Sequence, residues 1–346
     1  MAATIVGKYR CLKCSGGGFS ISSTKWTCLN CGQDYPCILG IPKLYIEEAV
    51  GAHDRKLRDR FYDGVFGSWY GFLMPFILLP VRPASTSRRQ WAIYGMICAL
   101  IATLLLLFIY FLTSPGNIGW TTILALPLLA IGVFFARQKY LLHLFLFAIP
   151  ASLSIRRRRF KPAESFAAVH ERVVTPLIGT ANRLQVLDVS TGSCDSLYKH
   201  GWMKLNADYT AIDLSQTMLS KGLEMMSRNG VAIDLVLGNA MNLPFQSGTF
   251  DVVLNYGAIN GMTDPGKALA EMVRVARPGA LLLFLDEQMY PNASLIERAY
   301  FMKVLASHDV IHHCPVELLP PEVMDVHVAQ VYEFYYICTA RKRHRT

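Results

Sequence analysis

The chain is short of acid where its apolar residues are densest. From Arg82 to Lys161 there is no Asp or Glu, against ten Lys and Arg. Trp91 to Leu112 and Ile118 to Ala136 lack charge of either sign. Also missing are an apolar amino-terminal core with a cleavage pattern, an internal repeat and a low-complexity linker. The first of these gives no reason to expect a secretory signal. No Gly-x-Gly-x-x-Gly follows any strand pattern, which speaks against a nicotinamide dehydrogenase.

The 346 residues leave room for two or three domains. They are 52% hydrophobic with a mean hydropathy of +0.29, high for a soluble enzyme. The net charge of +9 is unevenly placed. The acid-free span and Arg341 to Arg345 together hold fourteen of the 34 basic residues, leaving 20 against 25 acidic ones. A membrane surface is therefore the expected partner, and nucleic acid is not. The first charge-free run has 22 residues, about 33 Å as a helix and enough to span a bilayer. The second has 19, with Pro127 kinking it. Thr113 to Asn117 joins them without charge, and basic residues flank the pair. The expectation is two transmembrane helices with both termini and the body of the protein on the cytoplasmic side. Leu141 to Pro150 is too short to span and reads as interfacial. Val65 to Pro80, broken by Gly and Pro, reads as interfacial or re-entrant. Arg156 to Arg159 and Lys161 suit anionic headgroups.

Near the amino terminus, Cys11-x-x-Cys14 and Cys28-x-x-Cys31 stand thirteen residues apart. Cys11, Cys14, Cys28 and Cys31 have the spacing of a four-thiolate structural zinc site, with Trp26–Cys28 and Asp34–Pro36 as ribbon strands. The alternative is two disulfides in an oxidising compartment. Cys37 reads as core.

The second half alternates strands and helices. Val186 to Val189, Tyr209 to Asp213, Ala232 to Leu237, Phe250 to Asn255 and Leu281 to Leu285 read as strands. Phe166 to Ile178, Ser215 to Asn229 and Asn292 to Ser307 read as helices, and Val323 to Val328 with Tyr332 to Thr339 as closing strands. The pattern predicts an α/β fold with a parallel, Rossmann-like sheet and ligands at the strands' carboxyl ends.

Four segments carry a family resemblance. They are Leu187-Asp188-x-Ser190-x-Gly192, Ala211-Ile212-Asp213-Leu214-Ser215-x-x-Met218-Leu219, Gly238-Asn239-Ala240-x-x-Leu243-Pro244-Phe245 leading to Phe250-Asp251, and Glu271-Met272-x-Arg274-Val275-x-Arg277-Pro278-Gly279. Together they resemble class I S-adenosylmethionine (SAM)-dependent methyltransferases, in the branch of the quinone C-methyltransferases. The resemblance implies a seven-stranded sheet with an antiparallel last strand. It also implies a SAM site of Asp188, Ser190, Gly192, Asp213, Leu214, Asn239, Ala240 and Asn255, in which Asp213 accepts the ribose hydroxyls. The plainer reading of Asp213 is a cap on the helix that follows. Ser190 and Cys194 replace family glycines, and the Cys194 sulfur is expected where the cofactor's methionine part passes. The ribbon, through Gly32-x-Asp34-Tyr35-Pro36 and Gly40-Ile41-Pro42-Lys43-Leu44, resembles the zinc-ribbon activator of methyltransferases. His53 to Tyr70, read as one helix containing Arg60-Phe61-Tyr62-Asp63, is similar to the family's cap over the SAM pocket.

The expected division is a zinc ribbon (1–46), a cap segment (47–81), a membrane hairpin with its basic segment (82–161) and the methyltransferase domain (162–346). The expected function is SAM-dependent methylation of a lipophilic small molecule, isoprenoid quinone-like or polyketide-like, at a membrane. A phenol, enol or ring-carbon nucleophile also needs a proton acceptor, for which His170, Tyr256 and His312 are candidates. His312-His313-Cys314 lacks a fourth partner and is not read as a metal site. The alternatives are a scaffold protein whose methyltransferase fold no longer catalyses, and an RNA or protein methyltransferase.

Overall fold

The computed structural model describes residues 3–78, positions 92, 95, 96, 99, 103 and 110, residues 139–158 and residues 160–344. Apart from those single positions, the two charge-free runs lie outside the described residues. Among the described residues no helix is long and apolar enough to cross a membrane. The chain divides into two compact units, one of residues 1–69, 162–289 and 308–346, the other of residues 70–161 and 290–307.

The first unit starts with five short antiparallel strands in chain order: β1 (Ala3–Val6), β2 (Gly18–Ile21), β3 (Lys25–Cys28), β4 (Asp34–Ile38) and β5 (Ile41–Pro42). Helix α1 (Ala52–Leu57) continues into a wide turn of helix over Arg58–Tyr62, and α2 (Val65–Ser68) follows. The single helix expected over His53 to Tyr70 is thus broken, and residues 63 and 64 separate its pieces. After α5 (Phe166–Val174) the large sheet begins: β6 (Leu184–Val189), β7 (Ala207–Asp213), β8 (Asp234–Leu237), β9 (Phe250–Tyr256), β10 (Ala276–Glu287), β11 (Val323–Tyr332) and β12 (Tyr335–Lys342). Its spatial order is β11-β12-β10-β9-β6-β7-β8. The five strands β10-β9-β6-β7-β8 are parallel, while β12 runs antiparallel to β10 and to β11. Central strands such as β9 read as nearly unbroken apolar runs because both faces are covered.

Helices α6 (Asp195–Lys199), α7 (Gln216–Arg228) and α8 (Pro265–Val275) link these strands. In α7 the buried residues Met218, Leu219, Gly222 and Met226 share one face, the stripe expected of a helix lying on a sheet. The Ser215 hydroxyl caps it, accepting the Met218 N–H at 3.1 Å. Asp264 caps α8 in the same way, with Pro265 at the first helical position.

The ribbon and the sheet share one hydrophobic core. Tyr9 packs on Trp26 (4.9 Å) and on Phe245 (5.5 Å). Backbone hydrogen bonds join Arg10 to Pro244 and Gln246 to Lys8. Leu44 N–H donates to the Leu237 carbonyl on the outer strand β8 at 2.8 Å, so the ribbon's tail covers an otherwise open sheet edge.

The second unit contains α3 (Tyr70–Ile77), α4 (Lys139–Arg158) and α9 (Leu295–Tyr300), with a further wide turn over Phe301–Leu305. Leu141 to Pro150 is therefore only the first half of a twenty-residue helix. The helix expected from Asn292 starts instead at Leu295, because Ser294 and Glu297 form a reciprocal cap there. Ser154 and Ser294 hydroxyls meet at 3.0 Å, and buried Glu297 pairs with Arg158 at 3.7 Å.

Candidate functional site

The parallel strands end along one edge, and the chain leaves β6 in one direction for β7 and β8 and returns on the other side as β9 and β10. Such a switch point opens a crevice at the carboxyl ends. Asp188, Asp213, Asn239, Asn255, Tyr256 and Asp286 all lie at or just past these ends.

The loop after β6 has Ser190, Gly192 and Cys194 at φ of 56°, 57° and 59°. Alternate residues thus keep a left-handed backbone although only one is glycine, at roughly 1–2 kcal/mol for each of the others. The Cys194 side chain is fully buried, and its sulfur faces Gly222 of α7. Asp188 is buried and accepts the Thr191 hydroxyl at 2.6 Å on Oδ2, while its Oδ1 has no hydrogen-bond partner. Burial pushes its carboxyl up to about 7, against the Thr191 hydroxyl and with help from the charge of Asp213. Next to it in the sheet, fully buried Asn255 donates to the Val189 carbonyl (2.8 Å) and leaves its own Oδ1 without a partner.

Asp213 clasps two backbone N–H groups, Gly192 on Oδ2 and Ser215 on Oδ1, each at 2.8 Å. It does hold the start of α7, as the plainer reading had it, and it ties the β6 loop down as well. Burial pushes its carboxyl up to about 6 against those two donors. Asn239 is buried and accepts the Met241 N–H at 2.9 Å, which fixes the turn through Ala240. Leu214 is half-buried beside Asp213.

The cap segment reaches both ends of this edge. Asp63 accepts from the Ser215 hydroxyl and the Thr217 N–H. Asp54 accepts the Thr263 N–H at 3.0 Å, and His53 bonds the Gly261 carbonyl at 3.1 Å.

Of the three candidate proton acceptors, two come together. The Tyr256 hydroxyl accepts from Trp202 Nε1 at 2.8 Å, and its ring stacks on His200 at 5.1 Å. His170 meets Trp202 edge-on at 5.1 Å and has a buried Nε2 without a hydrogen-bond partner. Burial raises the Tyr256 hydroxyl well above its usual range and lowers the His170 imidazole, keeping both neutral near pH 7. His312 is partly exposed on the loop before Val316. Sequence reasoning passed over Asp309, which no motif marks. The carbonyl of Asn260 accepts the Val310 N–H at 2.7 Å, and the Asn260 N–H donates to buried Asp286 at 2.8 Å. Burial and the Asp286 charge push the Asp309 carboxyl up to about 8.

In the ribbon, the ligand atoms of Cys11, Cys14, Cys28 and Cys31 lie within 4.8 Å of one another. Two of the sulfur pairs are 3.7 and 3.6 Å apart. A tetrahedral zinc with Zn–S of about 2.3 Å sets its sulfurs about 3.8 Å apart, so the donor set fits that ion. The described cysteines are all free thiols, and Cys37 packs against the core outside the cluster.

A methyltransferase-domain family model matches residues 187–284. The ubiquinone/menaquinone biosynthesis C-methyltransferase UbiE of Roseobacter denitrificans is 35% identical over 118 residues, 34% of this chain and 47% of the relative. The demethylmenaquinone methyltransferase of Renibacterium salmoninarum is 35% identical over 115 residues, 33% and 46% of the two chains. The chain thus spans about half the length of the curated relatives it matches. A solved phosphoethanolamine N-methyltransferase 2 of Haemonchus contortus, in complex with S-adenosyl-L-methionine, is 13% identical, covers 51% of this chain and 52% of its own, and has a TM-score of 0.42. Residues 187–284 carry a methyltransferase domain on the Rossmann-like α/β fold.

Proposed function

We propose that the protein is a SAM-dependent methyltransferase for a lipophilic, quinone-like small molecule. The observation that carries the reading is a pair of buried, unpartnered acceptors, Asp188 Oδ1 and Asn255 Oδ1, at neighbouring strand ends beside the left-handed loop. Buried acceptors are rarely left empty-handed, and a cationic, amine-bearing ligand would satisfy both. Asp213 retains lone pairs for ribose hydroxyls beyond its two backbone donors, and Asn239 with Ala240 forms the next wall. SAM would supply an electrophilic methyl group. The protein's share is alignment, exclusion of water by the cap, and a proton acceptor for the nucleophile. His170 suits that last role better than Tyr256 or Asp309, whose raised pKa values keep them mostly protonated near pH 7. The left-handed loop at Ser190 and Cys194 favours a working site over a degenerate scaffold.

The relatives named for ubiquinone and menaquinone support a lipophilic substrate. The charge-free runs and their basic flanks support anchoring by two membrane helices, with the catalytic domain on the cytoplasmic side. The four thiolates support a structural zinc that holds the ribbon against β8. Calorimetry of the full chain in detergent with SAM, followed by labelled-SAM methylation of lipid extracts, tests the reading. Absence of SAM binding by the folded protein would refute it.

A further inference from the structure

Gly222 lies in the middle of α7, where glycine suits a helix worst among residues other than proline. A β-carbon there would come to 2.8 Å from the Cys194 sulfur and 3.3 Å from the Ser193 carbonyl carbon. One turn earlier, the methyl of Met218 lies 3.4 Å from where a β-carbon on Gly192 would sit. Helix α7 therefore rests on the 191–194 loop at two successive turns. In dinucleotide-type loops the third small residue exists to let helix and strand pack closely. Here that position, Cys194, keeps the left-handed backbone at φ 59° but carries a fully buried thiol. The room for it comes from the facing helix.

We propose that Gly222 is a positioning residue for the cofactor loop. Its missing side chain sets how deeply α7 seats on the loop, and so holds the Gly192 N–H at 2.8 Å from Asp213. Asp213 sits three residues before α7 begins, so any lift of the helix is felt at that clasp. The role rests on the SAM-binding reading above. Cys194 and Gly222 then act as one unit, in which bulk on one side demands its absence on the other.

The test is calorimetric SAM affinity of the full chain, with melting temperature measured alongside. Wild-type protein is measured first; if it binds no SAM, the functional reading itself falls. Given wild-type binding, Gly222→Ala is expected to weaken SAM by at least about tenfold, since misplacement on the ångström scale is that costly to aligned groups. Adding Cys194→Gly to Gly222→Ala should recover affinity to within about threefold, the signature of a coupled pair. Val275→Ala, a cavity in α8, serves as the control: it should lower the melting temperature without changing affinity. Should Gly222→Ala not fold, Cys194→Thr crowds the same gap from the loop side and must also weaken binding. Wild-type affinity in Gly222→Ala overturns the proposal. So does a double variant that binds no better than Gly222→Ala, or a Val275→Ala protein that loses affinity in step with stability.

Discussion

One carboxylate oxygen of Asp63 takes two hydrogen bonds at the start of α7, 2.5 Å from the Ser215 hydroxyl and 3.0 Å from the Thr217 N–H. Ser215 also gives its backbone N–H to Asp213. The cap segment and the loop-holding carboxylate thus meet on a single serine. A negative charge at a helix amino terminus is favoured by the exposed N–H groups there.

Asp63→Ala should therefore loosen the cap before it harms the sheet. Two hydrogen bonds to a charged acceptor are worth about 1.5–3 kcal/mol each where buried, and less at this partly exposed position. SAM affinity should fall severalfold, and trypsin should cut faster at Arg58 and Arg60. Unchanged cleavage and affinity would mean that Asp63 does not hold the cap.

Asp213→Ala should cost more. It removes both backbone clasps and the acceptor proposed for the ribose, so SAM affinity should drop at least about tenfold in a protein that still folds. Calorimetry decides the matter. Wild-type affinity would leave Asp213 as a helix cap alone.

The residues just discussed show what a sequence can and cannot reveal. Asp188, Asp213 and Asn239 were legible because each sits in a short local pattern tied to a strand end. The parallel sheet followed from the alternation of strands and helices, and its seven strands from the family resemblance. Asp63 with Ser215, and Cys194 with Gly222, join residues far apart in the chain, and no spacing announces such a pair. Asp309 belongs to a loop without periodicity, and only the fold brings it to Asn260 and Asp286. Ser294 and Glu297 do form a local cap signature, yet the helix expected from Asn292 overlooked it.

Ligand binding should strengthen with pH. Burial raises Asp188 to about 7 and Asp213 to about 6 from an ordinary value near 4. Raised acid pKa values mean that the folded, ligand-free protein binds more protons than the unfolded chain between about pH 4 and 7. The stability these groups contribute is thus present at low pH and lost as pH rises through 6 and 7. The proposed ligand reverses the sign, because its cationic part pairs with ionised Asp188 and its ribose hydroxyls donate to ionised Asp213. The rise in melting temperature produced by SAM should be larger at pH 8 than at pH 6. A shift that is flat or falls over that range would show that neither carboxyl meets the ligand.

The ribbon should hold about one zinc per chain by elemental analysis, and Cys11→Ser or Cys28→Ser should release it. Because Leu44 pairs with Leu237 and Tyr9 packs on Phe245, metal loss should also lower the melting temperature of the whole first unit. A zinc-free wild-type protein with full stability would refute both statements.

The last prediction concerns the two charge-free runs. In the sequence they enter between the cap segment and α5, in the interior of the chain. A hairpin that only tethers the enzyme would work from any point of attachment. One that also brings a lipid-dissolved substrate to the site would depend on that place in the chain. Replacing residues 91–136 with a short Gly/Ser linker, and adding an unrelated terminal membrane helix, separates the two. SAM binding should survive, because Asp188, Asp213 and Gly192 are untouched. Methylation of the lipid substrate should collapse, while a short-chain soluble analogue should still react. Full activity on the lipid with the relocated anchor would reduce the hairpin to a tether. Loss of activity on the soluble analogue as well would mean that the runs support the fold of the catalytic unit itself.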